Sequence, residues 1–387
     1  MNLDVLIVGG GIAGNTAALS LCQQGLSVGL LDVHDWCPLP GQNYGSRVSS
    51  IGNQSSTYLH DLGAWQWALD FRACPFETIQ AWDAHVEPGI TFNAADSGRP
   101  HLGHIVENQV LIYAIENCLK SRPEFSRIRG ELLEIIRTDT DIQAISSNGE
   151  TISARLMIGA DGAQSVVRRL FGIEQNELDY HQRGIVSRVT TELHHEHCAR
   201  QVFLDTGPLA FLPLSDSSCT IVWSVPEQQA IQLEQLSETE FCNELANVFD
   251  YRLGNISTAE QPQSFPLKRR HVQSYIGERM VLIGDAAHTV HPLAGLGANQ
   301  GIADVMELAL TTEKILADSK SLHNRRHWRH YERARKASNQ LTLATMDAFH
   351  YAFTSSNPVV GSLRKTGFRL VESQNWLKTL FIGEANG

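Results

Sequence analysis

Residues 4–32 read DVLIVGGGIAGNTAALSLCQQGLSVGLLD. Asp4 to Val8 is a short β-branched run of the kind buried on both faces of a parallel sheet, and it runs straight into Gly9-Gly10-Gly11-Ile12-Ala13-Gly14. Beyond the glycines, Ile12, Thr16 and Leu19, flanked by Ala13, Ala17 and Leu21, repeat at helical spacing until Gly25, and Ser27 to Asp32 reads as a second strand. Strand, glycine turn, helix and strand form the βαβ unit that cradles a pyrophosphate. Gly9 makes the tight turn, Gly11 admits the ligand and Gly14 lets helix and strand pack closely. Asp32 stands where an acid accepts from ribose hydroxyls. FAD and a nicotinamide dinucleotide both satisfy this unit.

Further along, Leu132–Ile136, Ile142–Ile145 and Ile152–Ile158 are strand-like, with Asn148-Gly149 as a hairpin turn. They predict an antiparallel meander inserted into the parallel sheet. The last run enters Gly159-Ala160-Asp161-Gly162, followed by Val166-Val167-Arg168-Arg169: either a loop that brings backbone and charge to a ligand's phosphates, or an Asp-Gly turn. Between 176 and 267 the runs 201–204, 210–214 and 219–225 predict a second, largely β domain, with a helix over Leu233–Phe249. Met280–Ile283 is another buried strand that places Gly284-Asp285 at its carboxyl end, where open α/β sheets bind ligands. Pro292 to Asn299 then forms a loop into a helix marked by Ile302, Val305, Met306, Ala309 and Leu316. A helix N-terminus there favours an anion such as the N1–C2=O edge of a reduced flavin.

The bulk numbers agree with a compact enzyme. A net charge of −11 over 387 residues argues against a nucleic-acid partner and a general anionic-membrane surface. Seven scattered cysteines without a CxxC pair fit a reduced cytosol, and neither a signal peptide nor a membrane span is read. A cytoplasmic location, peripheral to the inner membrane face at most, is the expectation.

The three segments at Gly9–Gly14, Gly159–Gly162 and Gly284-Asp285 resemble, in order, the cofactor motifs of the class A flavoprotein aromatic monooxygenases. More narrowly, RVSSI (47–51), GHIVEN (103–108), GPLAFLPL (207–214) and GDAAHTVHPLAGLGANQG (284–301) resemble the FAD-dependent ubiquinone-biosynthesis hydroxylases, from residue 3 to about 380. The resemblance implies an α/β fold: a Rossmann-like FAD-binding domain (1–72, 101–175, 268–345) with the inserted meander, a smaller mostly β substrate domain (73–100, 176–267) and a C-terminal helical segment (346–387). It implies that Asp32 holds the adenosine ribose and Arg47 lies along the flavin nucleotide. Asp161 and Gly162 would belong to the motif serving FAD and NAD(P)H, and Gly284 and Asp285 would meet the ribityl chain. Pro292, Gly295, Gly297, Ala298 and Asn299 would border the isoalloxazine. The implied activity is hydroxylation of a polyprenylated phenol or quinol with NADH or NADPH and O2, through a flavin C4a-hydroperoxide, with other ubiquinone-biosynthesis enzymes as candidate partners. A prenyl reductase, a halogenase, a hydroxylase of another aromatic and a non-catalytic FAD-binding scaffold are the competing readings. One departure stands out: the family commonly reads AGQGxNxG, whereas this chain has Leu296 for the glutamine and Gln300 for an apolar residue.

No side chain announces itself as a catalytic base, and no metal site is expected. His288 and His291 bracket the flavin-facing loop and read better as structural hydrogen-bonding residues. His194-His195-Glu196-His197-Cys198 reads as a solvated loop rather than a ligand cluster, and Trp65-Gln66-Trp67 as a helix packing pair rather than a halogenase motif, which lacks its Ile-Pro. The run from Arg325 to Lys336 reads as a solvated basic face. The aromatic and aliphatic residues from Phe349 to Phe381 suggest helices over the substrate side.

Overall fold

The structure, a computed structural model, describes residues 2–41, 44, 45, 47–289 and 297–354. Strand β1 (Asn2–Val8) enters α1 (Ile12–Gln23) and β2 (Val28–Asp32), the unit expected from the opening glycines. There follow β3 (Val48–Gly52), α2 (Asn53–Asp61), α3 (Trp65–Phe71), β4 (Cys74–Phe76), β5 (Thr78–Asp83) and β6 (Val86–Asn93). Next come β7 (Gly103–Glu107), α4 (Asn108–Leu119) and β8 (Phe125–Arg129), then β9 (Leu132–Arg137), β10 (Ile142–Ser146), β11 (Thr151–Gly159) and α5 (Val166–Leu170). The β-rich stretch contains β12 (Gln175–Thr191), β13 (Cys198–Leu204), β14 (Gly207–Pro213), β15 (Cys219–Pro226), α6 (Glu227–Gln235), α7 (Glu238–Val248), β16 (Ile256–Ala259) and β17 (Gln263–Val272). The chain returns through β18 (Ile276–Gly277), β19 (Met280–Leu282) and β20 (His288–Thr289) to α8 (Gly297–Ala317) and α9 (Arg329–Thr354).

The first sheet runs β18-β19-β11-β1-β2-β8. Its central pairings are parallel, with Ile7 opposite Ile158 and Val5 opposite Val28, so Val5, Leu6 and Ile7 are covered on both faces and fully buried. β2 and β8 extend the sheet on one side of β1, β11 and β19 on the other. The strand order reverses at β1, and the crevice outside that reversal is where such sheets take ligands. The meander is present: β9 and β10 pair antiparallel, and β10 lies along the first half of β11, whose second half pairs with β19.

The second sheet runs β20-β17-β12-β15-β14-β13-β5-β6. Alternation along β14 divides its side chains. Leu209 and Phe211 pack under α6 and α7 with Trp223, Phe241 and Phe249, while Ala210 and Leu212 point the other way into a cluster with Phe76, Leu102 and Ile105. A small third sheet, β3-β7-β4, carries part of that cluster and connects the two large ones. α9 packs across β13 and β14.

The helix read over Leu233–Phe249 is in fact two. Ser237 breaks it, accepting from the Glu240 N–H while the Glu240 carboxylate accepts from the Ser237 N–H, a reciprocal cap that starts α7. Ser237→Ala is expected to lower stability by about 1 kcal/mol in chemical denaturation. Of the tryptophan pair, Trp65 is buried and Trp67 is 50% exposed, so only one of them packs. The residues from 355 on, including Leu363, Phe368, Leu370, Trp376, Leu380 and Phe381, lie outside the described residues, as do the side chains of Phe349 and Phe353.

Candidate functional site

The sheet order puts the carboxyl ends of β19, β11, β1 and β2 side by side, so the three glycine-acid segments meet although they are separated by more than a hundred residues each. Gly9 has φ +104, and an added Cβ would lie 2.4 Å from the Ala160 carbonyl oxygen; at Gly14 it would lie 1.9 Å from the Gly9 oxygen. These two positions are glycine because protein already fills the space. Around Gly11, Gly162 and Gly297, by contrast, no atom of the described residues beyond the chain neighbours comes within 4 Å of such a Cβ. The open sides are those a ligand can approach, and the structure therefore fits a dinucleotide laid along this crevice.

Asp32, at the end of β2, accepts the Gly10 N–H with one oxygen and the His34 N–H at 2.7 Å with the other. The following turn is stiffened by Arg127, which donates to the carbonyls of His34 and Asp35 at 3.2 and 3.1 Å. Its guanidinium is paired at 2.6 Å with Glu116, a carboxylate only 1% exposed that also accepts the Cys37 N–H at 2.5 Å. Asp161 uses its oxygens locally: it accepts from the Ser165 hydroxyl (2.5 Å) and from the N–H groups of Val166 (2.6 Å) and Val167 (3.0 Å), capping α5.

Asp285 is exposed just beyond the end of β19. Desolvation pushes its carboxyl up, opposed by His288, Arg270 and Arg47. Arg47 is itself exposed at the start of β3 and within electrostatic reach of that carboxylate. Gly284, just before it, has φ +57, and a Cβ added there would lie 3.2 Å from the Ala13 Cβ of α1, so the first and last motifs lie close together.

The first turn of α8 is held from the side of β3. Asn299 donates to the Ser50 carbonyl at 2.7 Å and accepts the Gly52 N–H at 3.0 Å, so its side chain is a brace between strand and helix. Pro292, Gly295, Leu296 and His291 lie outside the described residues.

Behind this turn lies a buried polar network that sequence reading missed. Asp304, fully buried in α8, accepts from the Gly284 N–H (2.8 Å), His288 Nε2 (2.5 Å), Arg335 Nε (2.6 Å) and Asn339 Nδ2 (3.4 Å). Burial alone would raise its carboxyl; His288 and Arg335 outweigh that and hold it at about 2. Asn339 continues to the Tyr275 hydroxyl, which meets His271 at 3.1 Å, and burial lowers the His271 imidazole to about 4. His288 thus has the structural role expected of it. The basic run is corrected: Arg325, Arg326, Arg329 and Arg333 are exposed, but Arg335 is turned inward against Asp304.

The His194–Cys198 segment is also corrected, since it is not solvated throughout. His195 is buried with Nε2 against the Leu214 carbonyl at 3.0 Å, and His197 Nδ1 meets the Pro75 carbonyl at 3.1 Å. Among the described residues no group of three or more His, Cys, Asp or Glu side chains could hold a metal. Likewise, no helix there is long and apolar enough to cross a membrane.

A parallel sheet with a glycine turn at its reversal point and an acid ending β2 define a Rossmann-type dinucleotide-binding fold, to which a second, mostly antiparallel sheet is joined. The chain belongs to the FAD binding domain family, matched over residues 2–342, and within it to the ubiquinone-biosynthesis hydroxylases. It is 34% identical over 390 residues to 3-demethoxyubiquinol 3-hydroxylase of Escherichia coli (strain K12), covering 99% of this chain and 98% of that one. It is equally 34% identical to ubiquinone hydroxylase UbiL of Rhodospirillum rubrum, over 99% of this chain and 89% of the relative. The crystal structure of p-nitrophenol 4-monooxygenase PnpA from Pseudomonas putida DLL-E4 shares the fold, with a TM-score of 0.80 at 17% identity over 100% and 99% of the two chains.

Proposed function

We propose that this protein is an FAD-dependent monooxygenase that hydroxylates the aromatic ring of a polyprenylated phenol or quinol intermediate of ubiquinone biosynthesis, with NAD(P)H and O2 as co-substrates. The observation that carries the reading is the end-to-end likeness to ubiquinone hydroxylases, which spans the substrate sheet as well as the cofactor crevice. Bound FAD supplies the oxygen-activating chemistry. In this reading Gly9, Gly11 and Gly14 hold its pyrophosphate, Asp32 its ribose, and Arg47, Gly162 and Asp285 the stretch toward the ring. Pro292, Gly295, Gly297, Ala298 and Asn299 border the ring itself.

The protein's own part is binding, orientation and exclusion of water. The second sheet is fixed to β4 and β7 by a closed apolar seam in which Ala210 and Leu212 pack against Phe76, Leu102 and Ile105. α9 closes over β13 and β14 on that domain. His288 is committed to Asp304, so it is not offered as a base.

The test is mass spectrometry of quinone-pathway lipids in a strain lacking the gene, restored with the intact protein or with Asp285→Ala. One under-hydroxylated intermediate should accumulate and be cleared only by the intact protein. The purified variant should bind FAD at least tenfold more weakly, equivalent to about 1.4 kcal/mol. A normal lipid profile in all strains, with no redundant hydroxylase, would overturn the assignment.

A further inference from the structure

α9 reaches the first turn of α8 through Arg335 and Thr342, both of which meet Gln300. Arg335 places Nη2 3.0 Å from Gln300 Oε1 and 3.4 Å from the Gln300 carbonyl, with Nε at 2.6 Å from Asp304 and Nη2 also at 3.0 Å from Asn339 Oδ1. Gln300 returns a bond to the same helix, donating Nε2 to the Thr342 hydroxyl at 3.4 Å. Gln300 stands next to Asn299, whose side chain ties the opposite side of the turn to β3. The first turn of α8 is therefore gripped from both sides, by β3 through Asn299 and by α9 through Gln300. Burying a guanidinium is costly even when it is paired, and apolar packing would join two helices equally well. What the polar joint adds is direction: a forked cation fixes both the register and the rotation of the turn it holds.

We infer that Gln300 and Arg335 form a latch through which α9 sets the position of the first turn of α8 against the flavin, which makes both of them positioning residues for the reaction. The inference rests on the FAD reading above. The resemblance implies an apolar residue at position 300, where this chain has Gln300. The effect of the latch runs through the backbone N–H groups of Gly297 and Ala298: these stabilise negative charge on the reduced flavin only while the helix end is aimed at it.

The test uses the full-length protein and three variants, Gln300→Leu, Gln300→Glu and Asp285→Ala. The FAD dissociation constant is read by flavin fluorescence, the reduction midpoint of the bound flavin by dye equilibration, and folding by the melting of the apoprotein. Gln300→Leu leaves Arg335 paired with Asp304, so the apoprotein should melt close to wild type. FAD binding should weaken roughly fivefold, of the order of one misplaced helix-terminus contact, and the midpoint should move to more negative potential. Gln300→Glu keeps an acceptor for Arg335 and should restore both to within about twofold of wild type. Wild-type affinity and midpoint in Gln300→Leu would overturn the latch. If Asp285→Ala also binds FAD normally, the cofactor reading itself fails; if it alone is impaired, only the latch fails. Should Gln300→Leu not fold, Thr342→Val removes the outer half of the joint. About a twofold loss of affinity supports the latch in that variant, and unchanged values overturn it.

Discussion

Asp304→Ala should cost about 3–5 kcal/mol of folding stability, the largest single-residue effect expected outside the glycine turn, because it leaves a buried cation unpaired. The carboxylate is fully buried and takes four donors, from Gly284, His288, Arg335 and Asn339. Its removal strands the Arg335 guanidinium, itself buried, and releases the Gly284 N–H that fixes the last motif. The size of the loss lies in what remains, so Asp304→Leu combined with Arg335→Met should recover most of it in urea denaturation. If Asp304→Ala melts like wild type, the network is not holding these elements together.

The same carboxylate gives the acid limb of stability a defined shape. Its pKa is held at about 2, below the roughly 3.9 of an unfolded aspartate. A depressed carboxylate contributes stability that is complete above the unfolded value and is lost as pH falls through the folded one. Wild type should thus lose stability steeply between about pH 4 and pH 2, whereas the double apolar variant should show a shallower slope there. Denaturation midpoints at pH 7, 4 and 3 for the two proteins decide it; parallel slopes would mean that other carboxylates dominate.

Much of the architecture was legible because its signals are local. A β-branched run ending in glycines, a helical repeat and an acid define one βαβ unit, and Asn148-Gly149 marks the hairpin between β10 and β11. The split between α6 and α7 was readable too: Ser237-Glu238-Thr239-Glu240 is a capping-box pattern that the surrounding apolar repeat conceals. The network was harder to read, because a charge run is a property of the line and burial a property of the face. Arg333 and Arg335 are two residues apart, about 200° around a helix, so one is exposed and the other faces α8. Asp304 carried a better clue. It sits on the core-facing row with Gly301, Leu308 and Ile315, and an acid on an apolar row needs a cation across from it. The histidine segment turned inward for a backbone reason: Glu196 and His197 both have φ 52, a tight reversal that drives His195 and Cys198 into the protein.

The glycine turn offers the sharpest separation of folding from binding, because the same substitution should fail for opposite reasons at neighbouring positions. Gly14→Ala places a methyl 1.9 Å from the Gly9 carbonyl oxygen, backbone against backbone, and neither α1 nor β1 can yield without opening the core around Leu6 and Leu19. Overpacking of this kind costs roughly 1–3 kcal/mol or more, so the apoprotein should melt earlier or fail to accumulate, whether or not FAD is present. Gly11→Ala meets no atom of the described residues beyond its chain neighbours within 4 Å, and its backbone at φ −73 suits alanine. The apoprotein should therefore melt close to wild type, while a methyl at the pyrophosphate approach weakens FAD by about tenfold or more. Adding FAD should accordingly raise the melting temperature of wild type but hardly that of Gly11→Ala, since stabilisation by a ligand scales with its concentration over its dissociation constant. Equal FAD-induced shifts in both would place the pyrophosphate elsewhere and remove the physical basis for reading these glycines as a cofactor cradle.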